Sequence, residues 1–262
     1  MEKPNRSTVK LVDSVQDITK DKTKSKVIKQ IENEIKIIMG EVRRDVDILE
    51  IDMPSIKANK REKVLEAIHN IFQAERIDDK LFIKCDGLGK EEIHRTLGDS
   101  LRPQLLTWTV ETNVICVVNG NEFRPDVGGW NRRPTRPQRF APIINSCPPP
   151  FLWIEVAFNK NDDRNNAINK IAYVQPYCPN TEFVIIIIPF GTTAFPANKN
   201  PDAISIVATP RSDRPFRAPY LGHLAVGNNI DTIQWYNMQW NQHHVLGCGA
   251  NIHFNDVFDL LT

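Results

Sequence analysis

The sequence predicts a mixed α/β protein in which a charged, helical N-terminal region, residues 1–86, precedes a helix-and-sheet domain, residues 87–262. Charge density indicates this division, because residues 1–100 hold 20 Lys and Arg and 20 Asp and Glu, against 13 and 12 in the longer remainder. Hydrophobic periodicity indicates the same division of the chain. Apolar residues recur at helical spacing in the first part, whereas short runs rich in Val and Ile alternate with helical patterns in the second.

The composition is that of an ordinary globular protein, with 41% hydrophobic and 25% charged residues. Five cysteines in 262 residues are too sparse for a disulfide scaffold, and their odd number and the lack of a CxxC pair favour a reducing compartment. We therefore expect an intracellular protein, either cytoplasmic or nuclear. The apolar run at residues 184–188 is far shorter than the roughly 20 residues that span a bilayer, so no membrane partner is expected.

Two amphipathic helices are predicted in the N-terminal region, at residues 25–42 and 60–75. Each carries an apolar stripe with three-and-four spacing, as a helix packed on one face requires. Helices with this much exposed Ile and Val are rarely stable alone in water. The stripes are therefore expected to pack on each other or on a partner, which would be a second copy of the chain or a helical protein.

The second region predicts a core in the order helix, three strands, helix, strand. An Asn119-Gly120 turn between two Val- and Ile-rich runs indicates a tight β-hairpin. A segment rich in Pro and Arg follows this hairpin, and a continuous apolar strand closes the core. The predicted elements are a helix at 90–106, a hairpin at 112–118 and 121–130, a strand at 151–158, a helix at 162–177 and a strand at 182–188, followed by strands at 203–208 and 230–238 and a helix at 256–261. Pro103 in the first of these helices indicates a kink or an early end.

Two carboxylates, Asp126 and Glu155, are placed unusually. Asp126 lies at the outgoing end of the hairpin, and Glu155 lies inside a strand, residues 151–158, that has no other charge. A buried carboxylate needs a counter-charge because desolvating it costs several kcal/mol. Carboxylates on adjacent strands are typical ligands of magnesium. The alternative is a partly exposed Glu155 on an edge strand, paired with an arginine.

The order of these residues resembles that of the PD-(D/E)XK nuclease superfamily, and more closely its Uma-type restriction endonuclease family. The resemblance spans Glu91 to the C-terminus. It implies a restriction-endonuclease-like fold, in which a mixed central sheet is flanked by helices. The segments that carry it are residues 124–127, 149–156, 162–164 leading to 170–173, 182–189 and 249–258.

The resemblance implies metal-dependent, endonuclease-like hydrolysis of DNA phosphodiester bonds, with Mg²⁺ or Mn²⁺ held by Asp126 and Glu155. The chain would then be an endodeoxyribonuclease with DNA as its partner. A different interpretation is a catalytically inactive nuclease fold that acts as a nucleic-acid-binding or protein-interaction module. Glu91 and Glu92 begin the helix before the hairpin, where the family uses an extra acidic metal contact, although carboxylates also favour helix N-termini without any metal.

The lysine of the superfamily motif is not at its usual place, because Ala157 stands where Glu-x-Lys would put it. The resemblance assigns the catalytic lysine to the following helix, where Lys170 matches. Lys170 borders an apolar stripe, so its stem can lie on the sheet while its ammonium extends toward Glu155. Lys160 is the second candidate. The alternative interpretation of Lys170 is an ordinary surface lysine.

Arginines crowd the segment after Asp126, and we predict that Arg124, Arg132, Arg133 and Arg136 bind nucleic acid. The planar guanidinium donates two parallel hydrogen bonds to phosphate. Arg139 belongs to the same cluster, and a second cluster lies at residues 211–217. The alternative is that these arginines pair with the acidic N-terminal helices.

A group of His and Cys residues near the C-terminus could suggest a metal site. Its members lack the ligand spacing of zinc sites, so ordinary strand and loop positions are the preferred interpretation. The group consists of His243, His244, Cys248 and His253.

Overall fold

The computed structural model describes residues 22–41, 48–84, 86–158, 161–188 and 219–261. They form two main sheets with helices packed against them. None of the helices in these ranges is long and apolar enough to cross a membrane. The predicted strand at 203–208, the arginines at 211–217 and Lys160 lie outside the described residues.

The first sheet is antiparallel and has the strand order β1-β3-β2-β6-β5. Helices α1 and α2 pack on it, and their predicted apolar stripes meet in one buried cluster that includes Ile31, Ile68 and Leu81. The elements are α1 (Lys22–Glu41), β1 (Ile48–Asp52), α2 (Arg61–Phe72), β2 (Ala74–Ile77), β3 (Lys80–Lys84), β5 (Cys116–Val118) and β6 (Asn121–Phe123).

The second sheet has the order β11-β10-β9-β8-β7-β4 and contains the predicted strands at 151–158 and 182–188. Only β8 and β9 are parallel, and helix α5 makes the crossover between them. Its elements and their flanking helices are α3 (Leu88–Leu101), β4 (Thr109–Thr112), β7 (Val127–Trp130), α4 (Arg136–Phe140), β8 (Leu152–Phe158), α5 (Asn161–Val174), β9 (Glu182–Ile188), β10 (Tyr220–Leu224) and β11 (Gln234–Asn237). A small hairpin, β12 (His243–Val245) and β13 (Asn251–His253), and α6 (Phe254–Phe258) follow.

The predicted fold class, a mixed α/β protein with a central sheet flanked by helices, is confirmed. Strand β9 is apolar throughout because both of its faces are covered. Val184 and Ile186 pack in the cluster that contains α3 residues such as Leu97, whereas Ile185 packs in the opposite cluster with α5 residues such as Ile171. The second sheet therefore separates two hydrophobic cores.

The predicted hairpin exists, but the structure divides its outgoing strand between the two sheets. Asn119 and Gly120 both have positive φ, 49° and 75°, as the tight turn requires. Strand β6 ends at Phe123 in the first sheet, and β7 begins at Val127 in the second. Pro125 explains the break, because proline has no N–H to donate to a ladder. The incoming strand of the hairpin is shorter than the predicted strand at 112–118. It begins at Cys116, and Thr112 ends the separate strand β4.

The N-terminal region contains two strands, β2 and β3, that its helical patterning did not predict. Strands β2 and β3 are joined at Asp78, which has a φ of 53°. The first sheet combines these strands with β5 and β6, which come from beyond the proposed boundary between residues 86 and 87. That boundary stays a prediction.

Candidate metal centre

Asp126 and Glu155 lie opposite each other where the antiparallel strands β7 and β8 meet. Val127 pairs with Ile154, so continuing the register by one residue pairs Asp126 with Glu155. Residues opposite each other in an antiparallel pair point to the same face. Both carboxylates are buried: 1% of Asp126 and 2% of Glu155 is exposed to solvent. The structure thus brings together the two carboxylates that the sequence singles out.

In each carboxylate one oxygen accepts a hydrogen bond from β8, and the other faces the ammonium group of Lys84. Asp126 Oδ2 accepts a 2.7 Å hydrogen bond from the Val156 main-chain N–H, while Oδ1 lies 2.5 Å from Lys84 Nζ. Glu155 Oε1 accepts a 2.7 Å bond from the Trp153 indole, while Oε2 lies 3.5 Å from the same Lys84 Nζ. The two remaining oxygens therefore converge on a single ammonium group.

Lys84 is a site residue that the sequence did not reveal. It ends strand β3 of the first sheet, and only 9% of its side chain is exposed. Burial disfavours its charged form, but Asp126 and Glu155 outweigh that effect and raise the pKa of Lys84 well above its usual value. The only signal in the sequence is a lysine at the end of a short apolar run, which is a common surface pattern.

Lys170 reaches the same cluster from α5. Its Nζ lies 2.7 Å from Glu155 Oε1 and 2.6 Å from Glu75 Oε1, and it donates a 2.8 Å hydrogen bond to the Arg124 carbonyl. Only 1% of its side chain is exposed, so it is a buried lysine. The helical spacing therefore located a lysine beside Glu155, but it gave no sign of the second carboxylate, Glu75.

The two carboxylates differ in their affinity for protons. Burial penalises the charge on Asp126, but His94 and the ammonium groups of Lys84 and Lys170 hold its pKa well below the usual range. Burial and the adjacent charge of Asp126 raise the pKa of Glu155 to about 7. Glu155 is thus the member of the pair that takes up a proton first on acidification.

A second group of ligand-type side chains borders Asp126. Ligand atoms of Asp86, His94 and Asp126 all lie within 4.8 Å of one another. His94 is completely buried, and neither of its ring nitrogens has a hydrogen-bond partner within the described part of the chain. Its Nε2 lies 3.5 Å from Asp126 Oδ2. Burial lowers the pKa of His94, although the nearby charge of Asp126 opposes this shift.

Lys90 anchors the outer side of this group. Its Nζ lies 2.9 Å from Asp86 Oδ1 and 2.8 Å from Asp163 Oδ1. Asp163 also accepts a 2.8 Å hydrogen bond from the Phe158 N–H, so this ion pair ties α3 to the start of α5. Glu91 is half-buried and accepts a hydrogen bond from Asn113, and its pKa is raised by burial and by the charges of Asp86 and Asp126.

The donor set fits a divalent cation. Asp126 and Glu155 each present one carboxylate oxygen to a position that already attracts positive charge, and oxygen ligands suit Mg²⁺ and Mn²⁺. The buried imidazole of His94 adds a nitrogen donor that no neighbour in the described ranges satisfies. Orphaned buried polar atoms of this kind are rare in proteins unless an ion or water completes them.

The predicted nucleic-acid-binding arginines have two different environments. The guanidinium of Arg124 donates to the main-chain carbonyls of Asn113 and His69, at 2.7 and 2.9 Å, and so serves the join between the sheets. Arg132, Arg133 and Arg136 are exposed. Arg136 and Arg139 lie on the ring of Phe140, which is 75% exposed, at 5.8 and 5.7 Å from its centroid.

The histidines near the C-terminus do not converge on one point. His244 Nε2 lies 3.0 Å from His223 Nδ1, and His223 Nε2 lies 2.7 Å from Glu182 Oε1. Cys248 contributes its main-chain N–H, not its thiol, to Glu182. Among the described residues, the one group of three or more such side chains whose ligand atoms all lie within 4.8 Å of one another is that of Asp86, His94 and Asp126.

Comparison with known proteins does not by itself establish a function for this chain. No family model and no curated protein matches the chain. Among solved structures, the chain is similar to one from Anabaena variabilis described as a "putative nuclease belonging to DUF820". That match has a TM-score of 0.44 and 12% sequence identity, and it covers 72% of this chain and 91% of the other. A likeness at this level carries no functional weight, so function has to be inferred from the side-chain geometry.

Proposed function

We propose that the chain is a divalent-metal-dependent nuclease that hydrolyses DNA phosphodiester bonds, with Asp126 and Glu155 as the metal ligands. One observation carries the proposal: the fold holds one oxygen of each carboxylate and directs the other at a common point occupied by an ammonium group. Two buried carboxylates facing one position are costly without a cation. Such a pair is what a metal-assisted hydrolase needs.

A bound Mg²⁺ or Mn²⁺ would supply a lowered pKa for bound water and electrostatic stabilisation of the phosphate in the transition state. Side-chain and main-chain groups of the protein hold the two carboxylates in position. The Val156 N–H and the Trp153 indole fix the orientation of Asp126 and Glu155. Lys84 and Lys170 bring two ammonium groups that neutralise phosphoryl oxygens or orient water as negative charge develops.

The DNA-contacting surface of this proposal is the segment after β7. Arg132, Arg133 and Arg136 are exposed there, and Pro134 is buried among them and anchors the segment. The exposed ring of Phe140, flanked by Arg136 and Arg139, adds a face on which a nucleobase can stack. Phosphate contacts and stacking are the usual components of sequence-independent binding.

Plasmid cleavage tests the proposal. The purified full chain is expected to nick plasmid DNA with Mg²⁺ or Mn²⁺ and to be inactive with EDTA. Asp126→Asn and Glu155→Gln should remove cleavage while the circular dichroism spectrum stays that of the wild type. Glu122→Gln is the matched control, because Glu122 is also a buried carboxylate but pairs with Arg76 in the first sheet.

A second candidate function is the inactive nuclease fold used as a binding module. It is favoured by the fact that Lys84 already neutralises both carboxylates, which are almost fully buried. In that case DNA would bind equally well with EDTA, and neither metal would produce cleavage. A wild-type chain that binds DNA but never cleaves it would replace the nuclease proposal with this one.

A further inference from the structure

We infer that Asp86, His94 and Asp126 form a second cation position, which binds a divalent transition-metal ion through one imidazole nitrogen and carboxylate oxygens. The three residues come from different elements: Asp86 precedes α3, His94 lies within α3, and Asp126 precedes β7. Their ligand atoms nevertheless fall within 4.8 Å of one another. The inference rests on the proposed function in one respect: the proposed function already makes Asp126 a ligand of a metal ion.

The state of His94 is the observation that points to a ligand. The side chain is completely buried, and both ring nitrogens lack a hydrogen-bond partner in the described part of the chain. Leaving a buried polar atom unsatisfied costs about 1–3 kcal/mol, so such atoms persist only where something completes them. Nε2 is 3.5 Å from Asp126 Oδ2, too far for a good hydrogen bond but suitable for two ligands that share one ion.

The charge balance of the surroundings also favours a cation. Lys84, Lys90 and Lys170 are the ammonium groups of this cluster, and they face five carboxylates. Lys90 Nζ is shared between Asp86 and Asp163, so it does not fully neutralise the charge of Asp86. A divalent ion beside Asp86 and Asp126 would add positive charge where each of these carboxylates shares its ammonium partner with another carboxylate. The five carboxylates are Glu75, Asp86, Asp126, Glu155 and Asp163.

The ligand chemistry distinguishes this position from the one between Asp126 and Glu155. The latter offers oxygen only, which suits Mg²⁺. An imidazole nitrogen shifts the preference of the site away from Mg²⁺ and toward transition-metal ions. Asp126 would contribute one oxygen to each position, as bridging carboxylates do where two metals act on one phosphate.

Pulsed EPR of the full chain with Mn²⁺ alone, without DNA, tests the inference directly. Bound Mn²⁺ should show hyperfine coupling to a histidine nitrogen. The coupling should be absent in His94→Gln, which keeps an oxygen near the place of Nε2. Mn²⁺ affinity should fall by about tenfold or more in that variant, and Mg²⁺ affinity should change less because an oxygen ligand remains.

His69→Asn is the matched control. His69 is also buried with an unpartnered Nε2, but it lies in α2 and is not part of the cluster. It should leave the nitrogen coupling intact. A folded wild-type chain that binds Mn²⁺ without nitrogen coupling would overturn the inference, and so would coupling that survives in His94→Gln. The wild-type spectrum decides the matter even if His94→Gln does not fold.

The two proposals can fail separately. If the wild type shows nitrogen coupling but never cleaves DNA, the nuclease proposal fails and the second cation position stands. If the wild type cleaves DNA and shows no nitrogen coupling, only the second position fails. Glu155→Gln should remove cleavage and leave the coupling unchanged, because Glu155 is not one of the three proposed ligands.

Discussion

Lys84 Nζ lies 2.5 Å from Asp126 Oδ1, although Lys84 ends a strand of the first sheet and Asp126 precedes a strand of the second. Glu75 of β2 makes the same connection, since its Oε1 lies 2.6 Å from Lys170 Nζ and accepts a 2.8 Å bond from the Arg124 N–H. The candidate centre is therefore built at the join of the two sheets. Residues before and after position 86 are both needed to complete it.

Lys84→Met should destabilise the metal-free protein, because it leaves two buried carboxylates without their shared counter-charge. Removing one partner of a buried pair costs about 3–5 kcal/mol. Adding Mn²⁺ should then raise the melting temperature of Lys84→Met more than that of the wild type, since the ion takes over the role of the ammonium. Thermal unfolding with and without Mn²⁺ measures both effects.

Lys80→Met is the control for this experiment. Lys80 pairs with Glu50 on the surface of the same β-sheet, where both side chains are about half exposed. Its loss should change the melting temperature little, with or without Mn²⁺. An equal Mn²⁺ response in wild type and Lys84→Met would contradict the view that Lys84 and a cation compete for the same two oxygens.

Gly128→Ala should destabilise the protein by about 1–3 kcal/mol, the usual cost of overpacking a core. A Cβ on Gly128 would lie 2.6 Å from a Trp130 ring atom and 3.2 Å from Pro125 Cγ. Strand β7, which follows Asp126, would have to shift. Urea unfolding measures the change in free energy. Gly89→Ala serves as the control, because a Cβ there meets nothing within 4 Å and alanine favours the helix.

His69 should lower the stability of the protein on acidification below about pH 6.5, whereas Glu155, whose pKa is raised by burial, should oppose this change over part of the same range. Burial and the nearby charge of Arg124 lower the pKa of His69 to about 3, from the usual 6.5. Between these two values the unfolded chain binds a proton at this position that the folded chain does not, so His69 alone lowers the free energy of unfolding by about 1.4 kcal/mol for each pH unit of acidification. Urea unfolding at pH 7, 6 and 5 gives the slope.

His69→Asn should reduce this slope. Asparagine can still donate to the Ala74 carbonyl, which His69 Nδ1 contacts at 2.5 Å, but it does not titrate. Part of the slope should remain, because the pKa of buried His94 is lowered as well. His243→Asn removes an exposed histidine and should leave the slope unchanged. A slope unaffected by His69→Asn would rule out this assignment.

The sequence predicted the parts of the fold that depend on local pattern. Strand β9 was located at its observed bounds because six consecutive apolar residues flanked by turn signals can only be buried on both faces. Helix α3 was predicted to extend to residue 106 but ends at Leu101, since Pro103 disfavours helical continuation. Strands β2 and β3 were missed because their charged residues mask any alternation.

The sequence predicted a residue of the candidate centre only where that residue type was unusual for its own segment. Glu155 was recognisable as a lone charge in an apolar strand, and Asp126 was its nearest counterpart after the hairpin. Lys84, Glu75 and His94 occupy positions where Lys, Glu and His are common. Glu75 and Lys84 reach the centre because β2 pairs with β6 and β3 pairs with β2, and His94 reaches it from α3; no local pattern encodes these long-range contacts.

The arginine segment should determine how DNA binding depends on salt. Arg132, Arg133 and Arg136 are exposed, so changing all three to alanine removes positive charge without disturbing a buried contact. If each contacts a phosphate, the log-log slope of affinity against salt should become shallower by roughly 0.9 per contact. Fluorescence anisotropy with a labelled duplex at several salt concentrations, in EDTA to prevent cleavage, measures this slope.

A triple alanine variant of Lys57, Arg61 and Lys63 is the matched control. It removes the same number of exposed positive charges from the surface around α2, so any general electrostatic effect is equal in both variants. Only the arginine variant should lose slope. Arg124 is left unchanged in both, because its guanidinium bonds to the carbonyls of Asn113 and His69 and its removal would disturb the join between the sheets. Equal slopes in the two triple variants would exclude the segment after β7 as the phosphate-contacting surface and would favour its use in protein interaction.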